Sequence, residues 1–90
     1  MTDIQHDLAR QRFETHVDGH ACELDYQVRN QVMAILHTGV PPAVGGRGIA
    51  AQLTQTALDY ARSQGLHVQP LCSYAAAYIR RHPQYADLVR

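Results

Sequence analysis

"PPAVGGRGIAAQLTQTALDYA", residues 41–61, decides how this chain is read. Two prolines end whatever precedes them. Gly45, Gly46 and Gly48 then crowd into four positions around Arg47. A helical pattern follows at once, with Ile49, Leu53, Ala57 and Tyr60 at the spacing of one helix face. Gly65 stands where a helix C-cap is wanted, which predicts a helix over 46–64. The first turn of a helix carries free backbone N–H groups and the positive end of its dipole. Glycines there leave those groups uncovered, so phosphate oxygens can approach them, and Arg47 can add a charged fork. The alternative is that the glycines only shape a loop and a close helix–strand contact. A short glycine cluster does not decide between the two.

On either side of this stretch the pattern is that of strands. "LHVQPLC" after the helix predicts a short strand near residues 66–69. "QVMAILHTGV", Gln31–Val40, comes before the prolines and is apolar on both faces, which places it in the middle of a sheet. Strand, helix and strand make a βαβ unit with the two strands parallel. The glycine loop and Cys72 then share the carboxyl edge of the sheet, where open α/β sheets bind ligands.

Further upstream, "RFETHVDGHACELDYQVR" holds Asp18-Gly19 between two alternating runs, the signature of a two-residue hairpin turn. That turn pairs Val17 with His20, Phe13 with Leu24 and Arg12 with Asp25. It also sets Glu14 against Glu23, a poor pair that a solvated face tolerates. Arg29-Asn30 supplies the next turn.

Composition excludes several classes. Ninety residues hold one domain with one modest core, and 46% hydrophobic residues argue against disorder. No apolar run approaches the roughly 20 residues of a membrane span. The polar start lacks the apolar centre of a signal peptide, so a cytoplasmic location is expected, with residues 1–9 weakly packed. Net charge is zero and lysine is absent, which speaks against a nucleic-acid surface. Cys22 and Cys72 are expected to stay reduced. His16, His20 and Cys22 resemble a ligand cluster on paper, but the hairpin register sends His16 and His20 to opposite faces, so no metal is expected.

The segment "HTGVPPAVGGRGIAAQLTQTALDYARSQGLHVQPLCSYAAAYIRRHPQYADL" also resembles the small N-acetyltransferase-like family of the GNAT superfamily. The family pattern runs from an HT-x-VP segment through G-x-GIA and an amphipathic helix to P-x-C and YI-x-x-HP-x-Y. The match covers roughly residues 37–89, and the hairpin fits the family's first strands. The resemblance implies a minimal GNAT-like α/β (α+β) fold: an antiparallel hairpin sheet extended by a parallel βαβ unit, plus a C-terminal helix. It implies acetyl-CoA as co-substrate, with pyrophosphate on Gly45, Gly46, Arg47, Gly48, Ile49 and Ala50. The pantetheine arm would lie along the strand end at Thr38 and Val40. Two departures stand out. Many relatives carry Gln or Arg at the place of Gly45, and many carry Glu at the place of Gly39, an obvious general base that this chain lacks.

Cys72, Tyr78 and His37 are the candidate catalytic residues. Cys72 lies just before a helix whose N-cap would be Ser73, an environment that favours thiolate. It would touch the thioester together with Ser73, accept the acetyl group, or simply pack as a small hydrophobe. Tyr78 would protonate the leaving CoA thiolate, or only pack its helix onto the sheet. His37, at a strand end, has an intrinsic pKa suited to a base. Arg80, Arg81 and His82 complement the helix dipole or reach the cofactor's 3′-phosphate. Tyr85 and Leu88 would dock the tail. Glu14 and Glu23 face either solvent or substrate. The function implied is acetyl transfer to an amine, on a small molecule or a protein partner. The alternative is an acyl-CoA-binding module with little turnover.

Overall fold

The structure is a computed structural model that describes residues 3–90. Five strands form one sheet in the order β1-β2-β3-β4-β5. They are β1 (Gln5–Asp7), β2 (Arg12–Val17), β3 (His20–Arg29), β4 (Val32–Gly39) and β5 (His67–Pro70). β1 through β4 are antiparallel neighbours, and β4 and β5 are parallel. Helix α1 (Ile49–Ser63) makes the crossover between them, and α2 (Ser73–Arg81) follows β5. This is the mixed α/β arrangement that the resemblance implies. Among the described residues no helix is long and apolar enough to cross a membrane.

Asp18-Gly19 closes the β2–β3 hairpin with positive φ at both residues, 49° and 79°. A two-residue turn of that kind matches the right-handed twist of the flanking strands. The register follows from it: Val17 faces His20, Phe13 faces Leu24 and Arg12 faces Asp25. The next turn lies one residue later than expected. Asn30 and Gln31 take positive φ, and Arg29 pairs with Val32.

Phe13, Cys22, Leu24, Tyr26, Met33, Ile35 and Val68 are buried from the sheet. Ile49, Leu53, Ala57, Leu58 and Ala61 of α1 and Ala75, Tyr78 and Ile79 of α2 join them in one core. Tyr85 and Leu88, in the 3-10 segment Pro83–Leu88, complete it, so the tail docks as expected. After Val89 the chain runs beside β5, and the Arg90 amide donates to the Val68 carbonyl.

Two further expectations need correction. Residues 5–7 are not loosely packed: β1 pairs with β2, and the His6 ring stacks on Phe13 at 4.0 Å. His6 also bonds the Tyr26 hydroxyl, and burial, opposed by nearby Asp7, lowers its pKa. Helix α1 begins at Ile49 rather than residue 46, because Gly46 and Gly48 take left-handed φ of 79° and 75°. Its end is as expected. Gly65 is left-handed, and the Gly65 and Leu66 amides donate back to Arg62 and Ala61 in a Schellman motif. β4 lies between β3 and β5, in the middle of the sheet as expected, and is covered on one face. Met33 and Ile35 are buried, whereas Leu36 is 45% exposed.

Candidate active site

The sheet stops being uniform at Leu36. Tyr26 pairs with Ile35 but Asp25 pairs with His37, so Leu36 has no partner on β3. This is a β-bulge, which bends the bulged strand and sharpens its twist. The β4–β5 pairing ends at Ile35 and Pro70. Beyond them β4 stays with β3 as far as Gly39, while the chain after β5 turns into α2. The two strands part, and the amides of Leu71 and Cys72 both donate to the Ile35 carbonyl at the point of divergence.

Thr38 and Cys72 meet across this opening, with Thr38 Oγ1 3.6 Å from Cys72 Sγ. Thr38 pairs with core-facing Leu24 and therefore points to the helix-covered side. Partial burial pushes the Cys72 thiol up. Hydrogen bonds from the Ala75 amide, the Thr38 hydroxyl and the Tyr74 and Thr38 amides outweigh that and bring it below its ordinary value. A thiolate at the first turn of a helix is stabilised in this way. Cys22, fully buried on the hairpin, is pushed the other way by burial and by Glu23. Both cysteines are free thiols. Cys72 itself is the N-cap of α2, and exposed Ser73 is its first helical residue. The expected Ser73 cap is therefore displaced by one residue.

The glycine loop lies on the same edge. A 3-10 turn, Pro42–Val44, buries Val44, and the Gly45 amide then closes onto the Pro42 carbonyl at 3.1 Å. Gly48 is the N-cap of α1 and supplies no side-chain bond. The first helical bond runs from the Gln52 amide to the Gly48 carbonyl, so the preceding amides of the turn have no helical partner. A Cβ at Gly46 or Gly48 would meet nothing within 4 Å. The glycines are needed for their φ, and the space in front of the free amides is open. A cleft of about 290 Å³ occupies it, lined by Val40, Gly45, Gly46, Gly48, Ile49, Ala50, Ala51 and Tyr74. A second groove, about 530 Å³, runs on between α1 and α2 past Gln55, Tyr78 and Arg81, and shares Ala51 and Tyr74 with the first.

Two candidates are placed differently from expectation. Arg47 does not point a free fork at the loop. Its guanidinium donates to Asp18 Oδ2 at 2.7 Å, tying the loop to the hairpin turn. His37 pairs with Asp25 and lies on the open face of the sheet, opposite to Thr38, where its Nε2 is 3.2 Å from Glu23 Oε2. Tyr78 is buried in the α1–α2 groove, stacked on His82 at 3.9 Å. Burial raises its pKa, with smaller contributions from Tyr74 and Asp59, so its hydroxyl stays protonated at neutral pH. His82 caps α2 by contact with the Tyr78 carbonyl at 2.8 Å. Tyr74 is the lining residue that sequence reasoning missed. Its place in the first turn of α2 was the available signal, but only packing shows that it borders both clefts.

A splayed parallel strand pair, a bulge before the splay and an uncapped glycine turn in the crossover agree with the acetyltransferase-like fold that the resemblance implies. Residues 12–88 match the GCN5-related N-acetyl-transferase family, and the chain belongs to it. Among curated proteins it is similar to Protein NATD1 of Homo sapiens, 33% identical over 89 residues that cover 93% of this chain and 79% of that one. Protein NATD1 of Mus musculus has the same identity, with 81% of its length covered. Among solved structures it is similar to the solution structure of a GCN5-like candidate N-acetyltransferase from Staphylococcus aureus. That comparison gives a TM-score of 0.78 at 26% identity and covers 98% of this chain and 87% of the other.

Proposed function

We propose that the chain binds acetyl-CoA with its pyrophosphate on the amides of Gly46–Ala51 and transfers the acetyl group to an amine. The observation that carries this reading is the uncapped α1 N-terminus, which lies at the same edge of the sheet as the Thr38–Cys72 contact. Free helical amides and the helix dipole suit a diphosphate. The parted strands offer the pantetheine arm a path past Val40 and Thr38 towards Cys72. Cys72 borders the thioester there, and Tyr78 supplies a proton to the departing sulfur. Membership of the family supports the same reading. Arg47 contributes to the phosphates only if it leaves Asp18, and an exposed pair of this kind is weak enough to exchange.

Titration calorimetry with CoA tests the loop. Gly48→Glu is a blunt test, since the left-handed φ at this position strains any side chain. Ala50→Glu is cleaner. A carboxylate in the first turn favours the helix dipole but repels phosphate. We expect a folded Ala50→Glu protein with CoA affinity reduced at least tenfold. Unchanged affinity would remove the loop as the phosphate site.

A further inference from the structure

We propose that Glu23, held by His37, is the base that takes the proton from the acceptor amine; this rests on the acetyl-transfer reading above. Glu23 belongs to β3, and its cross-strand partner is Gly39. A Cβ built on Gly39 would collide with Glu23 Oε2 and stand 2.9 Å from His37 Nε2. The carboxylate therefore occupies the space that a side chain at position 39 would take. The absence of a side chain there is the condition for Glu23 to lie where it does, against Gly39 on the open face, while the next residue along β4, Thr38, meets Cys72 on the other face. Glu23 thus sets a carboxylate directly against the backbone of Gly39, on the strand that has parted from β5.

The surrounding charges single out Glu23. Glu14, Glu23 and Asp25 all face the open side of the sheet. Arg12 holds Asp25 with two hydrogen bonds, at 2.6 and 3.3 Å, and stands 4.0 Å from Glu14. Glu23 is bridged instead by His37, at 3.2 Å. With Nε2–H donating to it, the histidine orients the carboxylate. The Glu23 side chain is 24% exposed, so it is reachable but partly withdrawn from water. A primary amine arriving from the open face would meet this carboxylate as it meets the thioester from the other side. The nitrogen attacks the acetyl carbon and a C–N bond forms. Its proton passes to Glu23 and on to water. The C–S bond breaks, and the CoA sulfur takes a proton from Tyr78, which water restores. His37 is a positioning residue in this scheme.

The experiment compares Glu23→Gln, Glu23→Ala and the double variant Glu23→Ala/Gly39→Glu. Butylamine is the acceptor at saturating acetyl-CoA, with released CoA thiol read by colorimetry and CoA affinity by calorimetry. We expect Glu23→Gln to lower the rate about 10²-fold or more, the usual effect of losing a general base, while CoA affinity changes less than twofold. The double variant should recover to within about tenfold of wild type, because it restores a carboxylate to the same end of β4. A Glu23→Gln protein with wild-type rate overturns the proposal, as does a wild type that binds CoA without accelerating aminolysis. Failure of the wild type to bind CoA at all would instead remove the acetyl-CoA reading, and this inference with it.

Discussion

From Val32 to Ile35, β4 is paired with β3 on one side and β5 on the other, and Met33 and Ile35 are buried completely. From His37 to Gly39 it keeps β3 but has lost β5. There Thr38 lies beside Cys72, His37 lies on Glu23, and Gly39 leaves room for that carboxylate. One strand thus supplies framework and then candidate site, and Leu36, without a partner on β3, separates them. Backbone groups satisfied on both sides make the first half rigid. Opening one side in the second half exposes a cleft without unravelling the sheet, because β3 still holds it. The two cysteines follow the same division: Cys22 is core, and Cys72 lies at the opening.

The sharpest way to break this comparison is to truncate one residue from each half. Ile35→Ala should lower unfolding free energy by about 2–5 kcal/mol, the usual result of a cavity in a closed core. Thr38→Ala should cost about 1 kcal/mol or less. Urea melts of the two variants would check this, and equal losses would show that the halves are one packing unit.

Alkylation followed by mass spectrometry sharpens the cysteine contrast. The thiolate is the reactive form, so rate rises with pH through the pKa. The lowered Cys72 value puts its midpoint below pH 9.0, whereas the raised Cys22 value puts that thiol's midpoint above it. Thr38→Ala should move the Cys72 midpoint upwards by removing one hydrogen-bond donor. Saturating acetyl-CoA should protect Cys72 at least tenfold, about 1.4 kcal/mol of occlusion, and leave slow Cys22 labelling unchanged. Cys72→Ala should weaken turnover more than CoA binding. An acetylated Cys72 peptide would indicate a covalent route rather than direct transfer.

A smaller effect is expected where the tail docks. The Tyr85 hydroxyl donates to Asp59 Oδ1 at 2.7 Å, and burial, with that bond, pushes its pKa up to about 12. A raised folded-state value means its contribution is fully present below the unfolded value of 10.0 and is lost as pH rises towards 12. Tyr85→Phe should therefore cost about 1 kcal/mol at pH 7 and progressively less through that window. Thermal melts across pH 7–12 would show the two proteins converging at the alkaline end; a constant gap would mean the loss is one of packing.

The smallest effect should come from Arg47→Ala. Its exposed bond to Asp18 should leave the melting temperature unchanged. A measurable loss of CoA affinity would show the arginine moving from the hairpin to the phosphates, and no loss would leave it as a surface tie between framework and loop.

What the sequence determined alone rests on rules that act over a few residues. Asp18-Gly19 can adopt a left-handed turn, and from that turn the register of β2 and β3 follows pair by pair down to Arg12 and Asp25. The 3.6-residue spacing after Gly48, the glycine at 65 and the flanking strands specify a βαβ unit. That unit in turn brings the glycine loop and Cys72 to one edge. The tertiary structure decided what depends on partners far apart in the chain. Nothing local marks Leu36 as a bulge, since the break in register exists only between β3 and β4. Arg47 reads as a phosphate ligand until the fold brings Asp18, 29 residues away, within 2.7 Å. Gln5–Asp7 becomes a strand because β2 offers an edge and His6 finds Phe13 and Tyr26. Glu23 could have faced either solvent or substrate on alternation alone. It is the missing side chain of Gly39, across the strand, that gives its carboxylate a place, and a hollow of that kind is a property of two strands in register.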